Sequence, residues 1–137
     1  SVNRIWPSEL VLHEDADTGA TVRQLTGYRA HSHHFYFTNP GWHDGGKVSS
    51  FLVSSDRNTA TNLYSIDLDT GDLRQLTDLT PLPLPREVEF LRACVNPRRE
   101  EAYFWYGFDL VAIDLGTVES RVLYRMEEGW DVSMINC

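Results

Sequence analysis

Three histidines within four residues form the part of this sequence whose side chains could do chemistry. His31, His33 and His34 open an aromatic run in the stretch AHSHHFYFTNPGW, from Ala30 to Trp42. Imidazole titrates near neutral pH, so it can bind an anion, exchange a proton or ligate a transition metal. Successive side chains of a strand point to opposite faces, so only His31 and His33 could share a site. Two ligands are too few for a metal site, and we predict none here.

The composition narrows the class of protein. The chain of 137 residues carries 20 acidic and 12 basic side chains, a formal net charge of −8. It shows no basic patch for a nucleic acid and no apolar run near the ~18 residues of a membrane-spanning helix. The N-terminus lacks the apolar core of a signal peptide. Its two cysteines, Cys94 and Cys137, suggest neither a disulfide scaffold nor a zinc site. We therefore expect Cys94 to be a small core residue and the compartment to be the cytoplasm.

A sequence pattern recurs three times. Each copy predicts a strand, a tight turn and a second strand, with Gly able to take the positive φ that such a turn requires. The copies lie roughly 50 residues apart, close to the ~40–50 residues of a propeller blade. Val118 replaces the glycine in the third copy, so its turn is the least certain. The copies are DADTGATVRQLT (15–26), IDLDTGDLRQLT (66–77) and IDLGTVESRVLY (113–124).

A further pair of strands precedes each of the last two copies. HHFYFTNPGW and KVSSFLVSS form the first pair, and EFLRACVNP and AYFWYG form the second. Each unit then has four antiparallel strands, A to D, which predicts an all-β protein and favours a β-propeller. A small β-sandwich is the alternative, because it also consists of short strands and turns.

The chain is too short to close a propeller of about 4–8 blades. We predict an incomplete portion of about two to three blades. Residues 1–26 would be the outer strands of a closing blade, 27–77 and 78–124 two full blades, and 125–137 the start of another. The remaining blades, or self-association, would cover the exposed sheet.

Connections from strand D to A and from strand B to C emerge on the same face of such blades. This places GYRAHSH, SDRNTATN (55–62) and DLTPLPLPREVE (78–89) together, at the mouth of the channel that strand A borders. We predict a pocket there, against the alternative that a histidine only bonds a backbone carbonyl. Phe35 and Phe37 are expected to pack between blades. The predicted pocket residues are His31, His33, His34, Tyr36, Arg57 and Arg86.

The stretch HSHHFYFTNPGWHDGGK, followed by SSDRNTATNLYSIDLDTGDLRQLTDL, resembles the N-terminal part of oligogalacturonate lyases. These are seven-bladed propeller enzymes of pectin breakdown. The resemblance runs from about Pro7 to Trp130, and HHFYFTNPGW is its more specific part. The pattern that ends in Y-x-x-D-L-x-T-G and Q-L-T is shared by TolB-type propellers. The sequence NPRREE departs from the family, because it lacks the usual Asp-Gly turn.

The resemblance implies β-elimination on short galacturonides, which releases an unsaturated uronate. It also implies Mn²⁺ held by histidines and a glutamine in later blades, so no ligand is expected in this chain. The reaction needs a base near neutral pKa and a cation that neutralises the uronate carboxylate. We therefore expect an anionic oligosaccharide as the ligand of the whole protein, with this chain alone inactive and the catalytic residues unassigned.

Two other functions remain open at this stage. One is a non-catalytic TolB-like propeller module that binds a protein partner, and the other is a structural fragment without activity. A docking face would need an exposed aromatic patch, whereas an anionic-sugar pocket needs convergent Arg and His. We expect Arg57 to be a surface cation that matters for binding more than for folding. A natural reading frame of about 390 residues would favour the lyase.

Overall fold

The computed structural model describes residues 1–35, 38–44, 49–81 and 93–130. Within these ranges the regular secondary structure is entirely β, as predicted, and no helix could span a membrane. The strands are β1 (Ile5–Trp6), β2 (Val11–Glu14), β3 (Thr21–Gln24), β4 (Ser32–His33), β5 (Trp42–Asp44), β6 (Ser49–Ser55), β7 (Asn62–Asp67), β8 (Leu73–Gln75), β9 (Ala93–Asn96), β10 (Glu101–Tyr106), β11 (Asp109–Asp114) and β12 (Ser120–Arg125).

The strands form three antiparallel sheets. The first has the order β1-β8-β7-β6-β4, with β5 also paired to β6. The second is a regular meander in the order β12-β11-β10-β9, with the four antiparallel strands predicted for one unit. Among the described residues, β2 and β3 pair only with each other, as a hairpin of two strands.

Strand A of the first sheet is interrupted, so the continuous strand predicted for HHFYFTNPGW is wrong. His33 pairs with Ser54, whereas Trp42 pairs with Phe51, so the chain leaves the ladder between the two contacts. Pro40 in this excursion has no N–H to donate to a ladder. Gly41 then returns to β6 so closely that an added Cβ would meet the Leu52 carbonyl at 2.7 Å. The described residues of this segment, 34–35 and 38–41, therefore lie outside the strands β4 and β5.

The N-terminal segment joins the first sheet, which the sequence analysis did not foresee. In β1, Ile5 pairs with Arg74 of β8. The backbone of Asn3 donates to the Gln75 carbonyl, and Gln75 donates to the Arg4 carbonyl, each at 2.8 Å. The unit that we assigned to residues 27–77 thus gains an outer strand from residues that we assigned to the preceding blade.

Apolar side chains of the two large sheets meet in one core. Phe35, which is 1% exposed, lies in it, as expected for packing between blades. Cys94 is buried, as predicted, but it is disulfide-bonded, so the cysteine count gives no argument for a reducing compartment. The buried members of this core are Phe35, Leu52, Leu63, Leu76, Ala93, Val95, Ala102, Phe104, Ile113 and Leu115.

A smaller apolar cluster lies on the other side of the first sheet. Val53, Tyr64, Ile66 and Leu73 are buried there, and Trp6 of β1 packs against them. Trp6 stands edge-on to Tyr64, with 6.4 Å between ring centroids. This cluster is the reason that the short strand β1 stays in place, since two ladder residues alone would hold it weakly.

All three copies of the repeat form the same turn. In each, one aspartate side chain accepts two backbone N–H bonds from the turn: Asp15, Asp67 and Asp114. A residue with positive φ follows, namely Gly19, Gly71 or Val118. Val118 takes a φ of 60°, so the third turn forms in spite of the missing glycine. Its aspartate supplies the same bonds, which offset the steric cost of a β-branched residue there.

Candidate anion site at the ends of β4 and β6

His31 and Asp56 hold each other where the chain enters β4 and leaves β6. The His31 Nδ1 lies 2.8 Å from Asp56 Oδ2, and the His31 backbone N–H donates to Asp56 Oδ1 at 2.8 Å. The Asp56 N–H returns a bond of 3.3 Å to the His31 carbonyl. This contact confirms that the D-to-A and B-to-C connections meet. The His31 side chain remains 79% exposed, so its ring faces solvent.

His31 and His33 share one side of the strand, as alternation predicts. Their rings stack with 6.3 Å between centroids and 21° between planes. His34 behaves differently, because its Nδ1 donates to the Phe35 carbonyl next to it in the chain. That contact is the backbone-carbonyl role offered as the alternative for a single histidine. The binding roles of all three histidines remain predictions.

Arg57 is buried and paired, which contradicts its expected place on the surface. Its side chain is 0% exposed and forms an ion pair with Glu9. It also donates from Nε to Ser55 at 3.2 Å and from Nη2 to Ser32 at 3.4 Å. The guanidinium lies 5.3 Å from the centroid of the Tyr64 ring. A cation held by this many groups inside the fold stabilises it, whereas its predicted role in binding a sugar carboxylate stays a prediction.

The carboxylates of this region are held ionised by their partners. Burial alone would raise the pKa of Glu9, but bonds from Arg57 and from the backbone N–H groups of Gly27 and Tyr28 lower it below its usual range. The hydrogen bond from His31 lowers the pKa of Asp56, against a smaller opposing effect of burial. The two acids are therefore ionised at neutral pH.

The third connection starts at the same end of the sheets. The Leu79 N–H donates to Asn62 Oδ1 at 2.7 Å, and the Tyr106 hydroxyl donates to the Thr80 carbonyl at 2.7 Å. Tyr36 and Arg86, both predicted for the pocket, lie outside the described residues, as does Phe37. The structure thus brings together His31 and His33, and it gives His34 and Arg57 other partners.

Two polar residues of this region were missed by the sequence analysis. Asp56 stands directly before Arg57 in SDRN. Its position beside the histidines could have been inferred, because the sequence analysis already placed this loop next to the loop that carries them. Glu9 gave no such signal, because its pairing with Arg57 depends on where β1 docks. Among the described residues, no group of three or more His, Cys, Asp or Glu could hold a metal ion.

The chain resembles known proteins in its fold. No family model matches the chain, and no curated protein matches it. A solved oligogalacturonate lyase from Vibrio parahaemolyticus superposes with a TM-score of 0.76 at 22% identity. A second structure, described as oligogalacturonate lyase in complex with manganese, gives 0.76 at 24% identity. The chain has the fold of part of an oligogalacturonate lyase.

The match covers 95% of this chain and 33% of each lyase, so the chain spans about a third of their length. At these identities the likeness establishes the fold. It confirms that the sheets belong to a partial propeller, as the repeat and the resemblance to oligogalacturonate lyases predicted. The histidine pair and Asp56 lie where two connections of one blade meet.

Proposed function

We propose that the chain is part of an oligogalacturonate lyase, which cleaves short galacturonides by β-elimination to unsaturated uronates in pectin breakdown. The observation that carries this proposal is the superposition over 95% of the chain with two such lyases at a TM-score of 0.76. The exposed His31, stacked on the half-buried His33 at one end of the blade, supports an anionic oligosaccharide as the ligand.

The chemistry assigns a limited part of the reaction to this chain. β-Elimination removes the proton α to the uronate carboxylate and expels the glycosidic oxygen, so negative charge builds up on the carboxylate. Groups that donate hydrogen bonds to that carboxylate lower the barrier. His31 and His33 are the described side chains placed for this role, whereas Arg57 is engaged by Glu9. The base and the acid for the leaving group are not assigned to this chain.

Manganese fits the family but not the described residues of this chain. One of the two neighbours is described in complex with manganese. Here Nδ1 of His31 is engaged by Asp56, and the described residues offer no cluster of three or more metal-ligating acids, histidines or cysteines. We therefore propose Mn²⁺ for the whole enzyme, with ligands elsewhere, and route no step through it here.

The test is an assay of the intact protein with digalacturonate, with Mn²⁺ and after removal of metal by a chelator. We expect ultraviolet absorbance of the conjugated product to appear. We also expect His31→Ala and His33→Ala to raise KM, while His13→Ala on β2 leaves it unchanged. The absence of product with every metal tested would contradict the proposal of a lyase. It would favour the alternative, a non-catalytic propeller module that binds a protein partner.

A further inference from the structure

We propose that Asp56 is a positioning residue, which holds the His31 ring so that its other nitrogen, Nε2, presents a proton to a uronate carboxylate. The identity of the ligand rests on the proposed function. The role of Asp56 rests on the geometry of this chain. Asp56 was not among the residues predicted for the pocket, and it touches the ligand only through His31.

The first argument is that Asp56 fixes both the backbone and the ring of His31. One carboxylate oxygen accepts the His31 backbone N–H and the other meets Nδ1, each at 2.8 Å. The third bond, from the Asp56 N–H to the His31 carbonyl, is 3.3 Å long. Ser32, the next residue, lies 3.3 Å from Ser55 on the neighbouring strand through their hydroxyl oxygens. The ring therefore has one orientation relative to β6.

The second argument concerns which nitrogen carries the proton. An ionised carboxylate only accepts hydrogen bonds, so Nδ1 of His31 must donate to Asp56. Nε2 is then the nitrogen that gains and loses a proton. In the neutral ring its lone pair repels an anion, and in the charged ring its N–H donates to one. The site therefore binds a carboxylate when His31 is doubly protonated.

The third argument is that Asp56 favours the protonated His31 ring more than the other neighbouring groups do. The described charged or titratable groups near His31 include Asp56, the stacked His33, Arg29 two residues earlier in the chain, and the Arg57–Glu9 pair that contacts Ser32. That pair is neutral as a whole, and a charged His33 would oppose a second charge 6.3 Å away. The adjacent carboxylate supplies the opposite charge. The lowered pKa of Asp56 reflects the same interaction from its side.

The experiment has a direct arm that needs no ligand. Heteronuclear NMR of the histidine rings in the intact protein reports the tautomer and the titration of His31. We expect Nδ1 protonation in the wild type and a lower pKa of His31 in Asp56→Asn. Asp17→Asn removes one charge from an exposed turn and should leave His31 unchanged. Identical titration of His31 in Asp56→Asn and wild type would overturn the proposal.

The second arm measures digalacturonate binding by calorimetry at pH 5 and pH 7.5. Asp56→Asn should weaken binding about three- to tenfold at pH 7.5 and little at pH 5, where His31 is protonated in both proteins. His31→Gln, which keeps the ring site polar, should abolish the difference between the two pH values. Equal loss at both pH values would make Asp56 merely structural and overturn the proposal.

The two arms separate this inference from the proposed function. If the wild type binds no digalacturonate, the ligand is wrong and the lyase proposal fails with it. The NMR arm still decides whether Asp56 sets the state of His31. If Asp56→Asn does not fold, His31→Gln carries the test, because unchanged pH dependence of binding in that variant overturns the proposal.

Discussion

At the scale of single residues, burial and partners decide what a charged side chain does. Arg57 stands in a loop sequence, SDRN, that is typical of an exposed connection. The structure instead places its guanidinium among Glu9, Ser32 and Ser55, beside the ring of Tyr64. Its charge is therefore neutralised inside the fold by Glu9. His31 adds an exposed positive group to this region when its ring is protonated.

We expect Arg57→Ala to lower the free energy of unfolding by about 2–4 kcal/mol, because it leaves the partly buried Glu9 carboxylate without its ion-pair partner. Urea titration of the intact protein measures this loss. Arg29→Ala, in an exposed position of the neighbouring loop, should cost less than about 0.5 kcal/mol. Equal urea midpoints for Arg57→Ala and wild type would contradict the buried pair.

The Glu9 carboxylate predicts how stability depends on acid. Its pKa is lower in the folded than in the unfolded chain, so the unfolded chain binds more protons at acid pH. The stabilisation is complete above the usual value of 4.5 and is lost as pH falls through the lowered value. We expect Glu9→Gln to flatten the fall of unfolding free energy below that pH. Glu14→Gln, an equal change of charge on β2, should leave the slope as it is, and a slope unchanged in Glu9→Gln would count against the pairing.

At the scale of elements, two glycines test how closely the N-terminal segment approaches the first blade. Gly71 and Gly19 have φ values of +80° and +71° in equivalent turns. A Cβ on Gly19 would meet nothing within 4 Å, whereas on Gly71 it would meet Leu10 Cβ at 2.8 Å and crowd Ser8. Substitutions at Gly19 and Gly71 therefore separate the cost of a positive φ from the cost of a steric clash with the N-terminal segment.

We expect Gly19→Ala to cost about 1 kcal/mol of unfolding free energy, from backbone strain alone. Gly71→Ala should cost about 1–3 kcal/mol more, because the added methyl group displaces the segment of Ser8 and Leu10. Thermal unfolding of the two variants measures the difference. Equal losses would mean that the N-terminal segment does not pack on this turn.

The elements that could be predicted from sequence are those with local signals. The turns follow from D-x-x-T-G, since aspartate bonds and a residue with positive φ lie within the same five positions. The strands β9 to β12 follow from β-forming residues between turn residues. The prediction made strand A of the first blade too long, because Phe35 packs in the core although it lies outside β4.

The parts that could not be predicted depend on contacts between distant residues. β1 has only two residues, Ile5 and Trp6, and its place is set by β8 and by Tyr64. The stacking of His31 and His33 followed from strand alternation, whereas the bond from His31 to Asp56 required the exact meeting of two loops. The local sequence contains His31, His33 and Asp56, but the distances between them depend on the fold.

At the scale of the whole molecule, apolar side chains lie open on both outer sheets. Val22 on the β2–β3 hairpin is 50% exposed, and Tyr124 on β12 is 49% exposed. A hairpin of two strands is marginally stable unless further structure packs on it. These surfaces are consistent with the two ends of a partial propeller, where neighbouring blades would pack.

We expect Val22→Lys to destabilise the intact protein by about 1–3 kcal/mol, because it buries a charge against a neighbouring blade. In the 137-residue chain alone the same change should leave stability within about 0.5 kcal/mol and reduce self-association. Urea titration and light scattering measure the two effects. Thr21→Lys, an exposed neighbour, is the control, and equal effects of Val22→Lys in both proteins would contradict a covering blade.

The pairing of β1 with β8 also orders events during synthesis. Ile5 and its partner Arg74 lie about 70 residues apart, so at ~5–20 residues per second the ribosome needs roughly 4–14 s to make the partner. Trp6 likewise waits for Tyr64, and Glu9 waits 48 residues for Arg57, and both of these partners are made shortly before Arg74. Trp6 and Glu9 are therefore made early but gain their contacts late. Until their partners are made, the nascent chain carries an uncovered apolar ring and an unpaired carboxylate.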